Sequence, residues 1–193
     1  MMLKTEEKIT EVVLVNDSDQ QVGTMEKMEA HRKGLLHRAF SVFVFNDAGD
    51  MLLQQRNVEK YHSGGLWTNA CCSHPFPGEA VSDAAARRLF EELGFHTPLE
   101  KIFDFTYRSD FENGLTEFEY DHVFTGKYNG RIVPDAQEVA STKYLSIDDI
   151  EDLLKSEPKE FTTWFHIAFP KVKKWFLEFR QEEITQNVEE LRS

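Results

Sequence analysis

The chain has 193 residues, 40% of them hydrophobic, enough for one domain with a buried core by the rough yardstick of 150 residues per domain. Its 34 Asp and Glu against 22 Lys and Arg give a formal net charge of −12, which argues against non-specific nucleic-acid binding and against a polybasic membrane patch. The charge is uneven: residues 27–60, with six basic and four acidic side chains, are net positive, so an anionic substrate is not excluded there. Met1 to Glu7 lack a signal-peptide core, and no run approaches the ~18 apolar residues of a membrane span, so a cytoplasmic location is expected. The cysteines, Cys71 and Cys72, are neighbours and offer neither a disulfide framework nor a C-x-x-C zinc pattern.

In chain order, Glu11 to Val15 reads as a strand and Asn16 to Asp19 as a turn. Ala39 to Phe45 and Met51 to Gln55 read as antiparallel strands around the hairpin loop Asn46-Asp47-Ala48-Gly49-Asp50. Adjacent cysteines in an extended segment point to opposite faces, so at most one of Cys71 and Cys72 faces a site. Residues 79–93 turn helical, with Ala85, Leu89 and Leu93 at four-residue spacing and Gly94 as the C-cap. Ile102 to Tyr107, Thr116 to Phe124 and Val139 to Leu145 are further strands, with Glu112-Asn113-Gly114 as a turn. Ser146, three residues before Asp149, caps a helix carrying Ile150, Leu153 and Leu154. A helical stripe from Trp164 to Phe179 follows, interrupted at Pro170; Trp175 reads as core. Ile184, Val188 and Leu191 are expected to pack back on the domain. Together these predict one α+β domain over 1–193: a mixed central sheet flanked by helices, an added N-terminal strand or hairpin, and a C-terminal helical extension from about 147.

The segment Ser73-His74-Pro75-Phe76-Pro77-Gly78-Glu79 leads into a helix where Arg87 and Arg88 precede Glu91 and Glu92. Spacing of i and i+4 puts Arg88 with Glu92 and Arg87 with Glu91, which is either two surface ion pairs or a hard oxygen ligand for Mg²⁺ beside an arginine fork for a diphosphate. Glu79, Arg87 and Glu91-Glu92-x-Gly94 resemble the box of the Nudix superfamily, here about 73–95. Two positions depart from the hydrolase pattern: Ser73 replaces the opening glycine, and Arg88 replaces the first glutamate of the usual Arg-Glu pair. A guanidinium in place of a carboxylate keeps diphosphate binding and removes a hydrolytic ligand.

The departures, with Thr68-Asn69-Ala70-Cys71-Cys72-Ser73-His74-Pro75, Glu117-Phe118-Glu119-Tyr120-Asp121, Glu26-Lys27, His31 and Leu36-His37, resemble the type 1 isopentenyl-diphosphate isomerases from about Val12 to Trp164. The resemblance implies catalytic Cys72 and Glu119, assisted by the Tyr107 hydroxyl. It further implies a divalent metal, Mn²⁺, Mg²⁺ or Zn²⁺, on His31, His37, His74, Glu117 and Glu119, and a Mg²⁺ on Glu92 arriving with the substrate diphosphate. Two glutamates two apart on a strand share a face, and imidazole with carboxylate suits such an ion. Lys27, Arg56, Lys60 and Arg88 are the candidates for the diphosphate oxygens, and Trp164 for a cationic intermediate. Cys71 reads as a small buried side chain.

The implied reaction protonates an unactivated alkene carbon and removes a proton elsewhere. Acid–base catalysis supplies about 10²–10⁴, roughly 3–6 kcal/mol, so cation stabilisation by an aromatic face and carboxylate charge is also required. The expected partner is a small-molecule diphosphate, with no nucleic acid and no membrane, and the expected assembly a monomer or weak homodimer. The alternatives are a Nudix hydrolase of another diphosphate and a non-catalytic metal or diphosphate-binding Nudix module, in which Cys72 would be dispensable.

Overall fold

The computed structural model describes residues 11–60 and 62–190, with side chains to Phe179. The expected packing of Ile184, Val188 and Leu191 falls outside the described side chains. Among the described residues, nine strands form one sheet: β1 (Glu11–Val15), β2 (Gln21–Glu26), β3 (His37–Phe45), β4 (Met51–Arg56), β5 (Trp67–Thr68), β6 (Cys71–Ser73), β7 (Glu100–Asp110), β8 (Thr116–Lys127) and β9 (Val139–Leu145). Four α-helices accompany them: α1 (Lys27–Lys33), α2 (Val81–Leu93), α3 (Ile147–Ser156) and α4 (Thr163–Glu190). None of the described helices is long and apolar enough to cross a membrane. The α+β class with a mixed sheet is as expected.

Strand β3 is the hub, and its sequence explains why. HRAFSVFVF is apolar on both faces, the signature of a strand covered on both sides. Phe40, Val42 and Val44 pack with Leu89, Leu93 and Ala85 of α2, while Phe43 and Phe45 pack with Phe165, Phe169 and Val172 of α4. Full burial of each such side chain stabilises the fold by about 1.5–3 kcal/mol. β3 runs parallel to β8 over its whole length, from His37 opposite Glu119 to Phe45 opposite Lys127.

The expected hairpin forms at its loop, where Asn46 N–H donates to Asp50 O at 3.0 Å, but β3 and β4 pair at Phe45 and Met51 alone. Beyond that point β4 pairs with β5 and β9, leaving β3 to β8 and β6. The two strands therefore splay, and the opening between them becomes a cleft. A second correction concerns Pro170, which lies inside α4 without breaking it. Its exposed ring leaves the buried Phe165, Ala168, Phe169 and Val172 to hold the helix together across the missing N–H. Helix α2 begins at Val81, two residues later than the sequence pattern suggests, and ends as expected at Gly94. The pattern also missed β2, whose QVGTME lacks alternation, and α1, too short to show a period.

Candidate active site

Three local features carry the chemistry to the cleft. Glu26 caps α1, accepting from Met28 N–H and Glu29 N–H at 2.8 Å each, and Gly34 closes it with φ +59°. That single short helix places Lys27 and His31 one turn apart. The period-two alternation of β8 then turns Glu117, Glu119 and Asp121 to one face. Finally β6, paired to β3, sends Cys71 into the core under α2 and Cys72 into the cleft, the opposite facing expected of neighbours.

The cleft encloses about 630 Å³. Cys72, Glu119, Tyr107, His74, Glu117, Glu92, Lys27, Arg56, Lys60, Arg88 and Trp164 all line it, so these sequence candidates converge on one site. His31 and His37 are fully buried next to His74, with ring centroids 5.7 and 5.0 Å from it. One donor atom from each of His31, His37, His74 and Glu119 falls within a set no wider than 4.8 Å. Glu117 joins a second set with His31 and His62.

The histidine rings are aimed by backbone. His31 Nδ1 lies 2.7 Å from Lys27 O and His37 Nδ1 2.8 Å from Leu35 O, so each Nδ1–H is held by a backbone carbonyl and each Nε2 faces the cluster. His74 Nε2 lies 2.8 Å from Glu119 Oε1. Burial opposes charge on Glu119, but hydrogen bonds from His37 and His74 hold its carboxyl well below the usual range. Burial takes His74 down to about 3, so it is a neutral imidazole. Burial opposes charge on His31, yet its contact with Glu117 holds its pKa above the ordinary histidine value. Buried imidazoles gathered around carboxylates are the donor set of a divalent metal, and the residues present fit one.

On the other wall, Cys72 Sγ donates to Asn69 Oδ1 at 3.0 Å and lies 3.6 Å from Ser41 Oγ, whose hydroxyl donates to Asp121 Oδ2 at 2.7 Å. Burial, with the nearby Asp121 carboxyl, pushes the Cys72 thiol to about 12. Burial also lifts Asp121 well above the carboxylate range. Asn69 is pinned by its amide to Val42 O and Cys71 O at 3.0 and 2.9 Å. The Tyr107 hydroxyl, buried beside Glu119 and shifted well above its ordinary range, donates to Glu119 Oε2 at 2.7 Å.

The mouth is ionic. Arg88 donates to Glu92 at 2.7 Å and to Glu91 at 2.8 Å, and lies 3.3 Å from Glu138. Lys60 pairs with Glu138, and Gln54 donates to Glu92 at 3.0 Å. Arg56 stands 5.1 Å over the Trp164 ring, whose indole N–H donates to Thr68 Oγ1 at 2.9 Å. At the entrance of α2, Arg87 grips the Glu79 carboxylate with two hydrogen bonds of 2.7 and 2.8 Å, closing the loop before the helix.

Sequence reasoning missed His62, Asp121, Asn69, Ser41 and Glu138. Asp121 was readable as the next member of the Glu117, Glu119 alternation. Ser41 is a lone polar residue in the apolar run of β3, and His62, Asn69 and Glu138 sit in loops with no periodic signal.

The chain matches the NUDIX domain family over residues 35–165. It is 49% identical over 177 residues to an isopentenyl-diphosphate Delta-isomerase of Pectobacterium atrosepticum, covering 91% of this chain and 98% of that protein. A Burkholderia multivorans protein of the same name is 46% identical over 169 residues, covering 85% and 96%. Among solved structures, DR0079 of Deinococcus radiodurans shares the fold at TM-score 0.65 and 17% identity, over 76% of this chain and 90% of that one. With nearly full-length identity approaching one residue in two, and with Ser73, His74, Arg88 and Glu92 of the box segment lining the cleft, the chain belongs to the isopentenyl-diphosphate Delta-isomerase family of the Nudix superfamily.

Proposed function

We propose that the protein interconverts isopentenyl and dimethylallyl diphosphate, using Cys72 and Glu119 as the proton-exchanging pair. The observation that carries the mechanism is the placement of a half-buried thiol and a buried carboxylate, the latter hydrogen-bonded to Tyr107, in one cleft whose mouth holds Lys27, Arg56, Lys60 and Arg88. The two groups rest in opposite protonation states: Cys72 is a thiol at neutral pH and Glu119 is ionised. A proton delivered to the terminal alkene carbon gives a tertiary cation, and loss of a proton from the carbon next to the original alkene, on the diphosphate side, gives the internal alkene. The proton count of the substrate is unchanged, and phosphate is not released.

His31, His37, His74, Glu117 and Glu119 would hold a divalent metal, Mn²⁺, Mg²⁺ or Zn²⁺, which supplies charge that tunes Glu119 and fixes its orientation. Glu92, already facing Arg88, would hold the Mg²⁺ that accompanies the diphosphate. Trp164, locked by Thr68, offers its ring to the cationic intermediate for ~2 kcal/mol, and the carboxylates add to that.

Incubation with isopentenyl diphosphate and Mg²⁺ in D₂O, followed by methyl-region NMR and phosphate assay, tests the reading. Deuterated dimethylallyl diphosphate without phosphate release is expected. Cys72→Ala and Glu119→Gln should each lower kcat by at least about 10²-fold with the fold intact by circular dichroism. Near wild-type turnover in either variant would remove that residue from the mechanism.

A further inference from the structure

His62 stands outside the five residues read above as metal ligands, yet it forms a donor set with two of them, His31 and Glu117. It is 8% exposed, and its ring is sandwiched between neighbours: Phe111 stacks on it at 5.3 Å and 19°, and Trp164 meets it edge-on at 5.8 Å and 84°. Its Nδ1 is 3.3 Å from Ser63 Oγ, which turns Nε2 toward β8. There Nε2 lies 2.8 Å from Glu117 Oε1, the same oxygen that His31 Nε2 approaches at 3.5 Å. Donor atoms of His31, His62 and Glu117 all fall within 4.8 Å of one another. Two donors bound about 2.1 Å from one ion stand roughly 3.0 Å apart at octahedral and 3.4 Å at tetrahedral angles. The two contacts bracket those separations.

We propose that His62 is a fourth imidazole donor to the metal centre, entering beside Glu117. The proposal rests on the metal reading given above. Whatever small shift brings Glu117 onto the ion shared by His31 carries His62 with it, because they already touch. The alternative role for the same contact is a hydrogen bond from His62 to Glu117 that merely orients the carboxylate. Loss of affinity does not separate the two, since orienting partners also cost 10–100-fold in metal binding when removed. A fourth imidazole has a chemical consequence that an orienting bond lacks: it biases the centre toward nitrogen-preferring ions such as Zn²⁺ over Mg²⁺.

The deciding measurement is a long-range ¹H–¹⁵N correlation spectrum of the histidine side chains of the full chain, stripped of metal and then titrated with Zn²⁺ alone. The expected result is that Nε2 of His31, His37, His74 and His62 all move to the metal-bound imidazole range. His62→Gln supplies the assignment, and it should weaken Zn²⁺ at least tenfold in chelator competition while the other three rings still respond. If His62 Nε2 keeps the shift of a protonated nitrogen while the other three move, it is an orienting partner and the proposal is overturned. Unchanged Zn²⁺ affinity in both His62→Gln and His62→Ala overturns it as well. If none of the four responds, the metal reading itself fails, a result distinct from the failure of His62 alone.

Discussion

A tyrosine hydroxyl donating to the carboxylate proposed to exchange protons is in a position to do more than pack. Tyr107 O–H reaches Glu119 Oε2 at 2.7 Å from the paired strand, directly opposite Glu119 in register. Removing that oxygen in Tyr107→Phe leaves the ring among its neighbours and strips one hydrogen bond from the Glu119 carboxylate. If the hydroxyl takes part in the proton exchange, kcat should fall by about 10–10²-fold with KM little changed, since the diphosphate contacts lie elsewhere in the cleft. Steady-state kinetics checks this, and an unchanged kcat would return Tyr107 to a packing role. At this scale the sequence was legible where residues repeat on a lattice or match a motif: Glu117 and Glu119 by alternation, Arg88 and Glu92 by helical spacing. His62 and Glu138 reach the cleft from the loops after β4 and before β9, and a loop position carries no periodic information about what it will face.

Helix α2 is the element on which the box depends, and its C-terminus is set by a single backbone angle. Gly94 has φ +73°, and its N–H donates to Phe90 O at 2.8 Å. A Cβ there would also stand 2.5 Å from Val133 O, a backbone atom that is itself held in place by the Val133 N–H bond to Leu93 O. Gly114 has a similar φ of +78° with nothing within 4 Å of its added Cβ. Gly114→Ala should therefore cost about 1 kcal/mol from the dihedral alone, and Gly94→Ala about 2–3 kcal/mol because the clash adds to it. At roughly 2–4 °C per kcal/mol for a protein of this size, thermal unfolding should fall by about 4–12 °C for Gly94→Ala and 2–4 °C for Gly114→Ala. Equal shifts in the two variants would mean that Val133 yields freely. The end of α2 was readable from sequence because glycine states its backbone angle locally, as did the Ser146 cap, whose Oγ accepts from Asp149 N–H at 3.1 Å. The parallel pairing of β3 with β8 was not, since about 80 residues separate them and either strand alone would suit an antiparallel neighbour. Pro170 misled for the reverse reason: a local rule for helix breaking lost to the packing of Phe165, Phe169 and Val172.

For the molecule as a whole, a net charge of −12 has to be reconciled with a diphosphate ligand. The four cations at the cleft do not resolve this by themselves, because the structure already neutralises two of them. Lys60 is paired with Glu138, and Arg88 is shared among Glu91, Glu92 and Glu138. An incoming diphosphate must either displace these carboxylates or arrive with charge of its own to satisfy them. A divalent cation held by Glu92 would do the second, since its charge would offset the carboxylate and attract the diphosphate. Inorganic diphosphate measured by calorimetry should therefore bind the wild-type protein at least tenfold more tightly with Mg²⁺ than without it, a difference of about 1.4 kcal/mol or more. Glu138→Gln separates neutralisation from ligation at this mouth. If Glu138 chiefly occupies Lys60 and Arg88, the variant frees Lys60 and leaves Arg88 with one carboxylate fewer, so Mg²⁺-free binding should strengthen by about tenfold and the Mg²⁺ requirement should shrink. If Glu138 instead shares the Mg²⁺ with Glu92, the variant should leave Mg²⁺-free binding where it was and weaken only the Mg²⁺-dependent binding. The first outcome is expected, because Glu138 already faces two cations and its carboxyl is held below the usual range, against its burial, mainly by Lys60.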